Sequence, residues 1–253
     1  MDMNDTNVTP GKVVRQFASM FTDSGGLWEN ARFIIAEVPL NPSEVNRILP
    51  LGLWPADPAT GTLFVVDYTK PSFTVPYHEC ALLINVKTVF GAGVHCCWML
   101  VDDDTAMIYG RELLGYPKKM GKFTFEEKGK HASASVKRRG KKVLSMECEI
   151  GDTQYPPEPV FDRKTFNVGG LGQFMAINPV WMFRPREIIR ESHSAEVKVK
   201  IEHSDFDPIA RLVAGDPIRG RFVVSDIPGT RYNFPVGIAG LIYHARTFFM
   251  RYR

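Results

Sequence analysis

The chain of 253 residues is 44% hydrophobic and 23% charged, an ordinary globular composition long enough to bury a substantial core. Its formal net charge of +3 and pI of about 8.6 are too mild for a polyanionic partner, because a nucleic-acid-binding domain usually has pI above ~9 and a clustered basic face. No stretch reaches the ~18 uninterrupted apolar residues of a membrane span, and residues 1–10 hold Asp2 and Asp5 with no apolar run, so neither a membrane partner nor export is expected, and the expected location is the cytoplasm.

Val13, Val14, Phe17, Met20 and Phe21 fall at helical spacing before Gly25-Gly26, which predicts a helical appendage within residues 1–26. Residues 32–38 form a β-like run. Asn41-Pro42-Ser43-Glu44 then supplies a cap, a proline at the first helical position and an acid at the third, predicting a short helix that ends at Pro50. From Leu63 onward short strands follow one another at 63–68, 80–88, 94–101, 106–109 and 122–126, with Gly, Pro or Asp clusters between them. Residues 133–138 and 141–149 read as a hairpin about Arg139-Gly140, with Lys137, Arg138, Arg139, Lys141 and Lys142 as a solvated turn. Further strands are expected at 174–183, 195–203 and 220–226, and a short helix around 208–212. The apolar stretch from Pro235 through Phe248 makes residues 235–253 a C-terminal tail, read as covering a pocket, packing on a neighbour or joining the core. Dense strands without alternating long helices predict one α+β domain over 1–253, mainly antiparallel β, with peripheral helices. Cys80, Cys96, Cys97 and Cys148 form no CxxC pair, and the six histidines show no metal-like spacing, so reduced thiols and structural histidines are expected.

The segment that carries chemistry is Gly110-Arg111-Glu112-Leu113-Leu114-Gly115-Tyr116-Pro117-Lys118-Lys119-Met120-Gly121, where a lysine pair lies among apolar residues. It resembles the active-site motif of acetoacetate decarboxylases, in which GREL is followed after three residues by PKK. The likeness runs from about Arg32 to Asp226. Cys97-Trp98-Met99-Leu100-Val101-Asp102 leads through Ala106 into Gly110 with the family's spacing, and Asp207-Pro208-Ile209-Ala210 through Asp216-Pro217-Ile218 is similar to its later segment. An exposed turn is the usual fate of a lysine pair, and the extended likeness outweighs it. The resemblance implies a β-barrel or cone-like sheet and makes Lys118 the residue that forms a Schiff base. An amine attacks a ketone only when neutral, and a lysine of ordinary pKa, about 10.4, is neutral in roughly one molecule in two thousand at pH 7. Burial is the larger available source of the shift, about 3 to 5 units, against ~1 to 2 kcal/mol from a like charge ~10 Å away. Adjacent residues of an extended segment face opposite sides, so Lys119 is expected to point away into an ion pair in a supporting role, and Tyr116 to share the face of Lys118.

Tyr77-His78-Glu79 matches the family's upstream carboxylate, which makes Glu79 the candidate acid/base or orienting group. The family's arginine for the substrate carboxylate aligns with Ala31 of Asn30-Ala31-Arg32, and its second glutamate falls near Val65. Arg32 is the candidate substitute, although a shift of one residue along a strand turns a side chain to the other face. Arg111 and Glu112 are expected to pair beneath the lysine loop. The resemblance implies a small-molecule keto acid substrate, a homo-oligomer, and an iminium electron sink that needs no metal or organic cofactor. Decarboxylation of a β-keto acid is the first expectation. Condensation of pyruvate with an aldehyde followed by dehydration, or its reverse, is the second, and a non-catalytic binding protein is the third.

Overall fold

In β1 (Trp28–Pro39) alternate side chains serve two different cores: Ala31, Phe33 and Ile35 enter one, and Ile34, Ala36 and Val38 the other. A strand covered on both faces reads as a continuous apolar run, as Phe33-Ile34-Ile35-Ala36 does. The computed structural model describes residue 11 and residues 27–154, 156–169 and 178–252; the helix expected over 13–21, and the start of the strand expected at 174–183, lie outside them.

The other strands, in chain order, are β2 (Trp54–Pro55), β3 (Thr60–Tyr68), β4 (Lys70–Pro71), β5 (Tyr77–Thr88), β6 (Gly91–Val101), β7 (Lys118–Met120), β8 (Lys122–Lys128), β9 (His131–Arg138), β10 (Lys141–Thr153), β11 (Thr165–Val168), β12 (Pro179–Ile201) and β13 (Arg219–Ile238). The order β11-β6-β5-β3-β1-β13-β12, with β12 pairing back to β11, closes a barrel of seven strands, and β10, β9 and β8 continue outward from β12. Its pairings are antiparallel except for those of β6 with β7 and with β11. Closure removes the unpaired edges that an open sheet would expose. One core, with Phe33, Phe64, Tyr77, Met99, Phe183 and Val223, fills the lumen; the other lies between the barrel's outer face, the β8–β10 extension and the helices.

The short helix Pro42–Ile48 is capped by Asn41, whose side chain accepts from the backbone of Ser43 and Glu44, as its sequence predicts. The hairpin about Arg139-Gly140 is present, with both residues at positive φ (+49° and +81°), the backbone a tight two-residue turn needs. Its basic cluster is not wholly solvated. Arg138 is buried against Asp207, and the Arg139 guanidinium sits 4.3 Å from the Phe206 ring centre.

Two expected elements differ. The strand expected at 106–109 belongs to the helix Asp104–Leu114, because Asp103 caps it by accepting from Ala106 N at 2.7 Å and Gly115, at φ +66°, ends it. The C-terminal tail is not one piece: β13 runs on to Ile238 opposite Pro179, and the helix Gly240–Tyr252 then lays Tyr243 and Met250 into the outer core. All four cysteines are buried and unpaired.

Candidate active site

The path that delivers Lys118 begins with the helix Asp104–Leu114. Its last turn closes through Gly115 N to Arg111 O (3.2 Å) and Tyr116 N to Gly110 O (3.0 Å), and the chain emerges extended through Pro117 into β7. Parallel pairing sets Lys118 opposite Met99 and Lys119 opposite Leu100, and these two residues of β6 face the lumen and the outer core respectively. The lysines therefore part. Lys118 enters the lumen, and Lys119 enters the outer core, where it bonds Asp207 at 3.0 Å.

Lys118 Nζ lies 2.5 Å from Glu79 Oε2, with the two residues only 5% and 3% exposed. Oε2 receives no in-line donor among the described residues, so the contact is charge against charge, and the directed bond of Nζ goes to Ala106 O at 3.2 Å. Glu79 faces inward because β5 alternates: Tyr77, Glu79 and Ala81 face the lumen, while Cys80 and Leu82 face outward. The Tyr116 ring centre stands 5.9 Å from Nζ. Burial raises the Tyr116 phenol well above its ordinary pKa, so it remains a neutral donor at physiological pH.

Arg111 does more than the sequence suggested. Its Nη1 donates to Lys118 O and to Arg251 O, both at 2.9 Å, tying the nucleophile's backbone to the C-terminal helix instead of pairing with Glu112. On the far side, Asp207 gathers Lys119, Trp98, Arg138 and Ser204 about one carboxylate. Burial alone would raise the Asp207 carboxyl, but Lys119, Trp98 and Arg138 together hold it below the ordinary range; burial pushes Lys119 down to about 8 against the pull of Asp207. Sequence reading missed Asp207 and Arg138 as a pair, since 69 residues separate them.

Arg32 does not stand in for the family arginine. Its side chain leaves the lumen for Glu127, at 2.6 Å, as the one-residue shift requires, while Ala31 is the residue that faces inward. Val65 lies in the outer core, and the lumen residue opposite Glu79 is Val66. Among the described residues lining the pocket, Lys118 is the one cation and Glu79 the one acid; apart from Thr230 the walls are apolar or aromatic, including Trp28, Phe73, Tyr109, Leu113, Phe161 and Ile227. A second cavity, at the opposite mouth of the barrel, is lined by Glu37, Glu158, Arg163, Arg219 and Arg221, with Arg219 and Glu158 ion-paired. It holds no lysine, cysteine or histidine among its described lining residues.

The motif's first glycine also has a physical reason. A Cβ on Gly110 would stand 2.5 Å from Lys118 Cε and 2.7 Å from Cδ, so the position is glycine to leave room for the nucleophile's stem. Gly110→Ala is expected to keep the fold, since the flexible end of Lys118 can move, but to lower turnover about 10²-fold, the scale of a ~1 Å misplacement. Steady-state kinetics beside a thermal melt checks this; unchanged turnover would show that the lysine's present position is not the reactive one.

The description of the acetoacetate decarboxylase family matches residues 11–233. A decarboxylase of Cochliobolus heterostrophus is 28% identical over 118 residues, 46% of this chain and 44% of that protein, so the match spans less than half of the relative's length. Among solved structures, acetoacetate decarboxylase of Legionella pneumophila superposes with a TM-score of 0.73 at 14% identity, covering 83% of this chain and 86% of that one. A further acetoacetate decarboxylase structure gives 0.76 at 14% identity, over 91% and 99%. An enduracididine biosynthesis enzyme complexed with pyruvate gives 0.65 at 14% identity, over 81% and 88%. Those likenesses establish the shared fold, and with the match over residues 11–233 the chain belongs to the acetoacetate decarboxylase family.

Proposed function

We propose that this protein is a Schiff-base-forming lyase that decarboxylates a β-keto acid through an imine on Lys118. The observation that carries the reading is the pairing of one buried lysine with one buried carboxylate in a pocket otherwise lined by apolar and aromatic groups. Glu79 takes a proton from the Lys118 ammonium, and the free amine attacks the ketone carbon. The carbinolamine then loses its hydroxyl as water with a proton returned by Glu79, leaving an iminium. The bond between the α-carbon and the carboxylate breaks, its electron pair moves to the iminium nitrogen, and carbon dioxide leaves. Protonating the enamine carbon regenerates an iminium, which water hydrolyses to ketone and free lysine.

The missing arginine favours loss of the carboxylate over its retention. With Ala31 and Val66 facing the lumen, a substrate carboxylate has no cationic partner among the described pocket residues except Lys118 itself. A carboxylate charge is costly in so apolar a site, and decarboxylation removes it, because the electron pair neutralises the iminium and carbon dioxide leaves uncharged. The second reading, in which the imine loses a proton and the enamine adds to an aldehyde before dehydration, has support from the fold shared with the pyruvate-complexed enzyme. That chemistry must hold a carboxylate throughout, which asks for a second cation.

Incubation with acetoacetate, borohydride reduction and peptide mapping decides between them, with Lys118→Ala as control. An isopropyl-sized adduct on Lys118 is expected after subtracting acetone from spontaneous decay. An adduct that retains the carboxylate moves the assignment to the condensing reaction, and the absence of a Lys118 adduct with both acetoacetate and pyruvate removes the Schiff base altogether.

A further inference from the structure

We propose that the substrate is a 3-oxo acid whose ketone bears an apolar arm larger than methyl, and that the aromatic wall above Lys118 is the site for that arm. This rests on the imine reading of Lys118 and adds the substrate class. The pocket that holds the Lys118–Glu79 pair is also lined by Leu113, Phe161, Ile227, Trp28, Phe73 and Tyr109. Three of these rings form one wall: Phe73 meets Trp28 edge-on at 5.3 Å between centres and stacks with Tyr109 at 5.5 Å. Trp28 and Phe73 offer faces, not donors, because the indole N–H of Trp28 is already given to the Tyr77 hydroxyl at 2.7 Å, and Tyr109 adds one phenol to the wall. Lys118 and Glu79 hold the only charges among the described lining residues, and both are committed to the reacting carbonyl. Beside Trp28, Phe73, Leu113, Phe161 and Ile227 a second polar group on the substrate would lie against hydrocarbon, whereas an alkyl or aryl arm would replace water there.

Apolar transfer then sets the scale. Each buried methylene raises affinity for the bound or transition state about fourfold. Over the series from acetoacetate to 3-oxooctanoate, which adds four methylenes, kcat/KM is expected to rise on the order of 10²-fold. A flat or falling profile with acetoacetate itself turned over would overturn the apolar-arm proposal and leave the Schiff base standing. The corresponding methyl ketones, from acetone to 2-heptanone, provide a readout that needs no turnover: their dissociation constants, measured by calorimetry, should fall about fourfold per methylene. Should no 3-oxo acid react, the substrate class is overturned, and constant affinity along the ketone series would overturn the arm site as well. In Leu113→Asn the ratio of 2-heptanone to 2-butanone affinity is expected to drop at least threefold, and an unchanged ratio would place the arm elsewhere.

Discussion

Lys118→Met is expected to lower keto acid turnover on the order of 10⁴-fold or more, as loss of a covalent nucleophile does. It should also destabilise the protein by about 3–5 kcal/mol, because it leaves the Glu79 carboxylate buried without its cation. At ~2–4 °C per kcal/mol for a chain of this size, the melting midpoint falls roughly 6–20 °C. The two losses have different causes, and a second substitution separates them. Adding Glu79→Leu to Lys118→Met puts an apolar pair into an apolar lumen, which is often neutral or stabilising relative to a buried ion pair, so the midpoint should recover towards or above that of the unmodified protein while turnover stays absent. Thermal melts of the two single variants and the double variant, run beside kinetics, form the cycle. A double variant no more stable than Lys118→Met would mean that the two residues do not compensate each other's charge. Substantial turnover in Lys118→Met would place the chemistry on another residue.

Much of this site was legible because two short-range rules act on it directly. The period of two in an extended chain separates Lys118 from Lys119, puts Tyr116 with Lys118, and turns Arg32 away once Ala31 faces inward. The same rule gave the hairpin, where Arg139-Gly140 supplies the positive φ values. It failed at 106–109, because Ala106-Met107-Ile108-Tyr109 is too short to distinguish a period of two from one of 3.6. The decisive signals stood just outside that run, in Asp103 as a cap and Gly115 as a left-handed stop. The barrel was expected from the family resemblance, but the strand that closes it was not, since β11 supplies only four residues that alternate no more clearly than a loop. The aromatic wall was hidden for a related reason. Trp28, Phe73 and Tyr109 come from separate parts of the chain, and their contacts depend on β1, the loop between β4 and β5 and the helix Asp104–Leu114 meeting at one mouth. Arg138 looked like one more charge in a solvated turn until Asp207 gave it a buried partner.

Asp207→Ala carries the other large effect, because this carboxylate, 1% exposed, pairs with both Lys119 and Arg138. Its two oxygens accept from Lys119 Nζ (3.0 Å) and Trp98 Nε1 (2.9 Å) on one side and from Arg138 Nη1 (3.0 Å) on the other. Removing it takes that charge from two buried cations, Lys119 above all, at a cost of about 3–5 kcal/mol. Lys119→Met should cost only about 1–2 kcal/mol, since Asp207 keeps Arg138, Trp98 and Ser204. The pH dependence follows from the two shifts. Asp207 is held below the ordinary carboxylate range, so its contribution is present above the unfolded value of about 3.9 and is lost as the pH falls through the lower folded value. Lys119 is pushed down to about 8, so between that value and about 10.4 the unfolded chain binds more protons and rising pH relieves the cost of burying the ammonium. In Asp207→Ala the carboxylate no longer holds Lys119 up, and relief begins at lower pH. The gap in melting midpoint between the unmodified protein and Asp207→Ala should therefore narrow from pH 7 to pH 9 and close again in strong acid, where Asp207 is protonated. A gap constant across both ranges would mean that Asp207 acts by packing and hydrogen bonding, not by charge. Because β7 carries both lysines, freeing Lys119 from its anchor also lets Lys118 drift from Glu79, and turnover should fall about 10²-fold with the imine still formed.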